Sequence, residues 1–108
     1  MIYSELRVNN KKLYNLFYHR IHEKDFGSYK YKNKWGCLDQ LIVSGNLLKK
    51  SSKTSVKENM AHIYKADFLF QEDNKGGIKP YRTYLGYKYL GGYSDHLPIY
   101  MDIGIKLK

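Results

Sequence analysis

Cysteine is almost absent from this chain of 108 residues, and long apolar runs are absent altogether. The single cysteine, Cys37, excludes a disulfide within the chain and a zinc site built from several cysteines. Because Cys37 lies in a predicted strand, we expect a buried thiol rather than a reactive one. No stretch has the length or composition that predicts a bilayer-spanning helix or a signal peptide.

Acidic residues are also scarce. Ten Asp and Glu residues stand against 19 Lys and Arg residues, which gives a net charge of +9. This balance favours polyanionic partners, nucleic acid included, and predicts binding that weakens with salt. A basic surface that serves solubility alone is the alternative. With 43% hydrophobic and 16% aromatic residues, the chain is excluded from the disordered class, and its length fits a single unit, residues 1–108.

Hydrophobic spacing predicts the main elements. Residues 10–22 are predicted to form a helix, because apolar residues recur there at helical spacing, at Leu13, Leu16, Phe17 and Ile21. Residues 28–32 and 37–44 are predicted to form two antiparallel strands around an Asn33-Lys34 turn. The sequence therefore predicts an α+β fold, in which an antiparallel sheet has a covering helix.

The last eleven or so residues alternate strictly between apolar and other side chains. One parity carries Leu97, Ile99, Met101, Ile103, Ile105 and Leu107. A period of two predicts a long strand with one face on a core. Asp95 and His96 lie where a loop enters this strand, a common position for site residues on a rigid scaffold. A carboxylate beside an imidazole can bind a metal or handle protons, although solvated loop residues are the alternative.

Three segments resemble the endonuclease/exonuclease/phosphatase superfamily, the DNase-I-like metallophosphoesterases. The closing motif of that family is similar to Ser94-Asp95-His96-Leu97-Pro98-Ile99. Its penultimate site strand, in which an aspartate precedes an apolar strand ending in serine, is similar to residues 35–44, Trp-Gly-Cys-Leu-Asp-Gln-Leu-Ile-Val-Ser. Residues 79–86 and Gly91-Gly92-Tyr93 resemble the carboxyl-terminal segment of one bacterial branch. The order and distance of the motifs make the resemblance specific, and it runs from about Leu13 to Ile105.

The resemblance implies a four-layer αββα sandwich of which this chain is the carboxyl-terminal half. The family's amino-terminal half supplies a metal-binding glutamate, an early asparagine and an Asp-x-Asn motif. No Asp-x-Asn occurs in this sequence, and its four glutamates do not lie in the matching surroundings. We therefore expect residues 1–108 to be the carboxyl-terminal portion of such a domain, inactive in isolation.

By the same resemblance, three residues form the catalytic set. Asp95 is expected to be a metal-side or water-orienting carboxylate, and His96 to contact the scissile phosphate as a general acid/base or charge stabiliser. Asp39 is expected to accept a hydrogen bond from His96, at about 2.6–3.2 Å, and to fix its tautomer. An unpaired buried aspartate is costly, so Asp39 needs either a partner or exposure. The implied cofactor of the complete domain is Mg²⁺ or Mn²⁺.

Aromatic and basic residues interleave in two stretches, residues 29–35 and 81–89. Cations can contact phosphates and rings can stack on bases, although the strand preference of tyrosine explains such rings by packing alone. Two of these residues are predicted to bind substrate: Trp35, just before the Asp39 strand, and Arg82, which could clamp a phosphate. His19 and His22 have no nearby ligand pattern and are predicted to be surface residues.

Two hypotheses follow from the sequence. In the first, the chain is the carboxyl-terminal part of a metal-dependent phosphoester hydrolase, with a phosphoester substrate and nucleic acid among the candidates. In the second, it is a stand-alone basic binding or self-associating module with a vestigial site. Under both, the apolar row of the last strand predicts self-association or association with a missing amino-terminal half.

Overall fold

The computed structural model describes Tyr3 and residues 7–107. Within this part of the chain, the regular structure consists of short strands and 3-10 helices. The strands are β1 (Leu13–Asn15), β2 (Tyr29–Tyr31), β3 (Lys34–Gly36), β4 (Ile42–Ser44), β5 (Thr54–Ser55), β6 (Ala61–Ile63), β7 (Phe70–Glu72), β8 (Ile78–Pro80), β9 (Tyr84–Leu85), β10 (Lys88–Tyr89), β11 (Ile99–Met101) and β12 (Gly104–Ile105). The 3-10 helices span Tyr18–Arg20, Gly45–Leu48, Glu58–Met60 and Asp67–Leu69.

The strands form antiparallel pairs rather than one continuous sheet. Three pairs are local hairpins, β2–β3, β7–β8 and β9–β10. The other three, β1–β4, β6–β11 and β5–β12, join segments distant in sequence. The long-range pairs place the last third of the chain against its middle, which brings residues 94–97 beside the first hairpin.

A small apolar core lies between the long-range pairs. Its buried members are Leu16, Phe17, Phe26, Val43, Val56 and Ala61, with half-buried residues of β6 and β11 packed against them. Phe17 and Phe26 meet edge to face, with ring centroids 5.4 Å apart. Arg20 covers both rings with its guanidinium and donates a hydrogen bond to the carbonyl of Ala61. The core therefore ties the first third of the chain to β6.

The helix predicted for residues 10–22 is wrong. Residues 13–15 are strand β1, which pairs with β4, and only Tyr18–Arg20 is helical, as a 3-10 turn. Leu16 and Phe17 are fully buried while Leu13 is exposed, so the helical spacing did not mark one face. The side chain of Asn15 accepts a hydrogen bond from the Phe17 N–H, and this local bond favours a turn over a helix.

The predicted hairpin is correct in kind but wrong in its partners. Strand β2 pairs with β3 through a two-residue turn at Lys32 and Asn33, both with positive φ, 49° and 66°. Such a turn matches the twist of a hairpin, and Asn tolerates this conformation. Within residues 37–44 only Ile42–Ser44 is a strand, and it pairs with β1 rather than with β2.

The predicted α+β fold is contradicted as well. The described residues contain no helix of seven residues or more, so no helix covers a sheet, and the expected half of an αββα sandwich is absent. The long last strand is divided into β11 and β12, which pair with β6 and β5. The alternating row is buried only at its start: Leu97 is 2% exposed, whereas Ile105 is 62% exposed. No helix of the described part is long and apolar enough to cross a membrane.

Candidate functional site

Asp39 and His96 meet at the end of the first hairpin. Asp39 follows β3 by three residues, in a loop where the Cys37 thiol donates a hydrogen bond to the Asp39 carbonyl at 3.3 Å. His96 is held from the other side, because Tyr29 and His96 form an isolated antiparallel bridge and the Leu97 N–H donates to the Ser28 carbonyl at 2.7 Å. Two residues 57 positions apart are thus held in place, Asp39 by a thiol–carbonyl bond and His96 by backbone bonds.

The predicted contact between these two side chains is confirmed. His96 Nδ1 lies 2.6 Å from Asp39 Oδ2, within the predicted range, and both side chains are 35% exposed. The site therefore combines a firm hydrogen bond with access for solvent or a ligand. Whether the pair acts on a substrate stays a prediction.

Ser28 is the residue that sequence reasoning missed. Its side chain is fully buried, and its hydroxyl donates to the same Asp39 Oδ2 at 2.5 Å. Its only sequence signal was its position in a predicted strand next to Gly27. A Cβ at Gly27 would lie 2.4 Å from the Gly36 carbonyl oxygen, so glycine is required for the close approach that places Ser28 there.

Asp39 is an ionised acceptor of two hydrogen bonds. Burial alone would raise the pKa of Asp39, but the hydrogen bonds from Ser28 and His96, with the attraction of His96, outweigh it and lower the pKa. Because an ionised carboxylate only accepts, His96 Nδ1 must carry its hydrogen, which leaves Nε2 as the nitrogen available for other partners. Burial, with the nearby Asp39, raises the pKa of the Cys37 thiol, so Cys37 is not activated as a nucleophile.

Asp95 and Arg82 lie beside this pair. Arg82 Nη2 is 3.8 Å from Asp95 Oδ2, and both side chains are partly exposed. Arg82 precedes the β9–β10 hairpin and Gly92 follows it. The Arg82 carbonyl accepts a hydrogen bond from the Gly92 N–H, which fixes the Arg82 backbone. Gly92 has no room for a side chain, since a Cβ would lie 2.0 Å from the Tyr81 carbonyl oxygen. The Gly91-Gly92 pair noted in the sequence thus places Arg82 near Asp95.

Asp95 and Arg82 also line an open groove of about 400 Å³, here called the basic groove. Its other lining residues come from the first hairpin and its turn (Tyr29–Asn33), the β7–β8 hairpin (Gln71, Asp73–Lys75, Lys79, Pro80) and Leu85 and Leu90. Trp35 is not among the described residues that line it. Trp35 instead packs edge to face on Phe70, at 6.3 Å, and lies 5.5 Å from the Lys30 ammonium. Trp35 therefore joins the first hairpin to β7 through Phe70.

A divalent metal has only part of a site in the described residues. No group of three His, Cys, Asp or Glu side chains converges in this part of the chain. Asp95 is the carboxylate next to His96 in the sequence, and it forms an ion pair with Arg82. Mg²⁺ takes oxygen ligands in a near-ideal octahedron, so one carboxylate paired with a guanidinium does not make a complete protein site.

Comparison with known proteins identifies the family. A sequence model of the Endonuclease/Exonuclease/phosphatase family matches residues 3–105. The chain therefore belongs to this family, whose members are nuclease-like, act on phosphoesters and generally depend on divalent metals. No curated protein and no solved structure matches the chain.

Proposed function

We propose that this chain supplies the histidine–aspartate part of a phosphoester hydrolase site. The observation that carries the proposal is the 2.6 Å contact between His96 Nδ1 and Asp39 Oδ2 in a chain of this family. Asp39 holds the imidazole in one orientation and one tautomer. With Nδ1 engaged, Nε2 is the atom that meets the phosphoester.

His96 then acts in either of two protonation states. The neutral ring accepts a proton at Nε2 from an attacking water, while the protonated ring donates a proton to the leaving oxygen or balances charge on the phosphoryl group. Asp39 stays ionised in both states, because Ser28 and His96 both donate to it. Removing Ser28 would take one of these two side-chain donors from Asp39, so Ser28 is a positioning residue.

Asp95 and Arg82 complete the substrate side. Their ion pair is weak, because the two groups are 3.8 Å apart and partly exposed. A phosphate of the substrate can therefore replace Asp95 as the partner of the Arg82 guanidinium. Asp95 is then free to orient a water or to contribute one metal ligand. The contact that Trp35 makes here is with the Lys30 ammonium, and its predicted role in substrate binding stays a prediction.

The proposal assigns the remaining metal ligands to an amino-terminal portion of the domain. Residues 1–108 are in this view the carboxyl-terminal portion of a Mg²⁺- or Mn²⁺-dependent hydrolase, inactive alone. Asp95 would supply one ligand to such a cation, which would contribute Lewis-acid chemistry in the complete domain. The described residues do not complete the site of this metal.

The shape of the molecule supports a partner. The radius of gyration is 16.8 Å, whereas a compact domain of this length has about 13 Å. The accessible surface is 8205 Å², against about 6,300 Å² for a folded monomer of this mass. The excess surface includes Ile103, Ile105 and Leu107, which are 47%, 62% and 88% exposed. In this proposal, the surface contacts an amino-terminal half of the domain or a second copy of the chain.

The test is a ¹⁵N NMR titration of the histidine rings with a non-hydrolysed phosphodiester, dimethyl phosphate. We expect the neutral His96 ring to carry its hydrogen on Nδ1, and its Nε2 resonance to move on titration. The Asp39→Asn variant should lose the tautomer preference. His62, whose Nε2 lies 3.4 Å from Asp102, is the internal control and should not move. The proposal would be refuted if the His96 Nε2 resonance does not move on titration and the Asp39→Asn variant keeps the same tautomer preference.

A further inference from the structure

The basic groove has a marked surplus of positive charge. Five cationic side chains line it, against two carboxylates, a surplus of three; the cations are Lys30, Lys32, Lys75, Lys79 and Arg82. Lys30 is bound to Asp73 at 2.7 Å, and Arg82 lies beside Asp95. Lys32, Lys75 and Lys79 have no carboxylate partner among the described residues. These three lysines are therefore available to a ligand that carries several negative charges.

Aromatic rings run along the same wall. Tyr29 and Tyr31 are two residues apart on β2 and hold their rings nearly parallel, at an interplanar angle of 18° with centroids 6.4 Å apart. Tyr31 is 58% exposed, and Lys32 lies 5.4 Å from its ring centroid. Tyr29 is nearer the site, with its ring 4.9 Å from the His96 ring. The rings thus lead from the exposed end of the hairpin to His96.

The alternation of flat rings with cations limits the ligand class. A polyanion without flat groups would contact the lysines but would not stack on the tyrosine rings. Flat apolar groups spaced between phosphates would use both, and unstacked nucleic-acid bases have this form. In a duplex the bases are already stacked on each other, so exposed tyrosines gain no base contact there.

We propose that the basic groove binds single-stranded nucleic acid, with backbone phosphates on Lys32, Lys75 and Lys79 and bases on Tyr31 and Tyr29. This inference rests on the proposed function, because the bound strand would present a phosphodiester to His96. It adds the substrate class and the binding residues, which the His96–Asp39 pair alone does not specify.

The first test measures binding of a short fluorescent oligothymidylate by anisotropy. Tyr31→Ala should weaken binding by about 5- to 150-fold, the range for loss of one stacked base, while Tyr31→Phe should bind like the parent chain. The matched control is Tyr64→Ala, at an exposed tyrosine outside the basic groove. An equal-length duplex and inorganic polyphosphate should both bind more weakly and show no dependence on Tyr31.

The second test uses salt. Replacing Lys32, Lys75 and Lys79 by Gln should lower the slope of log affinity against log salt by about 2, since each phosphate contact of a single strand contributes about 0.7. The matched triple variant is Lys11→Gln, Lys24→Gln and Lys57→Gln, at exposed lysines outside the basic groove, and it should leave the slope near that of the parent. Thermal melts establish that each variant is folded.

The outcomes separate this inference from the proposed function. Polyphosphate or duplex binding as tight as the oligothymidylate, or equal affinity of Tyr31→Ala and its control, would overturn the groove assignment. Oligothymidylate binding that depends on Tyr31, without any change at the His96 ring on titration with dimethyl phosphate, would uphold the groove and refute the hydrolase proposal. A His96 resonance that moves with dimethyl phosphate, without any oligothymidylate binding, would support the hydrolase proposal and refute the groove assignment.

Discussion

His19 Nδ1 lies 2.7 Å from Glu58 Oε2, and the two side chains are only 14% and 8% exposed. The prediction that His19 is a surface residue is therefore wrong. The other carboxylate oxygen of Glu58 accepts the backbone N–H of Tyr3, whose ring lies 4.5 Å from the His19 ring. This pair joins the 3-10 helix after β1 to the 3-10 helix before β6.

Glu58→Ala is expected to destabilise the chain, because it leaves the largely buried His19 without its acceptor. A hydrogen bond to a charged group contributes about 1.5–3 kcal/mol, and we expect a loss of unfolding free energy in this range. The measurement is chemical denaturation of the parent and the variant. Glu23→Ala, at an exposed glutamate of the same neighbourhood, is the control and should stay within about 0.5 kcal/mol. Equal midpoints for the two variants would show that the pair contributes nothing.

Gly27→Ala is expected to disturb the site from outside it. The added Cβ would meet the Gly36 backbone at 2.4–2.7 Å, so the hairpin must move, at a cost of about 1–3 kcal/mol. The shift should also displace Ser28 and alter the His96 ring resonances. Gly36→Ala is the matched control, since a Cβ there has nothing within 4 Å. Equal melting of the two variants, with His96 unchanged in both, would contradict this expectation.

The chain should lose stability in acid partly through Asp73. Hydrogen bonds from Lys30 and from the Lys75 and Gly77 N–H groups lower the pKa of Asp73 from 3.8 to about 2. Because the pKa of Asp73 is lower in the folded state than in the unfolded state, its ionisation stabilises the fold. This contribution to the unfolding free energy is complete above pH 3.8 and disappears as the pH falls towards 2.

Asp73→Asn should therefore flatten the fall in unfolding free energy between about pH 4 and pH 2, because Asn cannot titrate. Denaturation curves at a series of pH values give this slope. Asp25→Asn, at an exposed aspartate with positive φ that Asn tolerates, serves as the control. An unchanged slope in Asp73→Asn would contradict the assignment.

The isolated chain is expected to have no Mg²⁺-dependent phosphodiesterase activity. The reason is that the described residues offer no group of three metal-ligating side chains, whatever the state of the Asp39–His96 pair. The assay is turnover of bis-nitrophenyl phosphate with Mg²⁺ or Mn²⁺. Turnover that disappears with EDTA and in His96→Ala would contradict this expectation.

Self-association should strengthen as ionic strength rises. The exposed residues Ile103, Ile105 and Leu107 favour contact between copies, while the net charge of +9 opposes it until salt screens the repulsion. Sedimentation equilibrium at low and high salt measures the effect. A double variant, Ile105→Thr with Leu107→Thr, should remain monomeric at both salts, whereas Tyr87→Ser at the tip of the β9–β10 hairpin should behave like the parent. A parent chain that is monomeric at both salts and melts cooperatively would refute the prediction.

Sequence alone determined the family and the central pair of the site. The Ser-Asp-His-x-Pro motif and the upstream aspartate identified the family that the match over residues 3–105 confirms. The same argument predicted the hydrogen bond between Asp39 and His96. It succeeded because the family motifs mark both residues, whichever strands pair around them.

Tertiary structure decided what periodicity could not. Whether residues 13–15 form a helix or a strand depended on β4, some thirty residues later, offering a backbone partner. The division of the last strand depended on β5 and β6 in the same way. Ser28 joined the site because two glycine backbones approach each other, and the basic groove formed because three hairpins meet. These features arise from contacts between distant segments, and the local spacing of side chains does not predict such contacts.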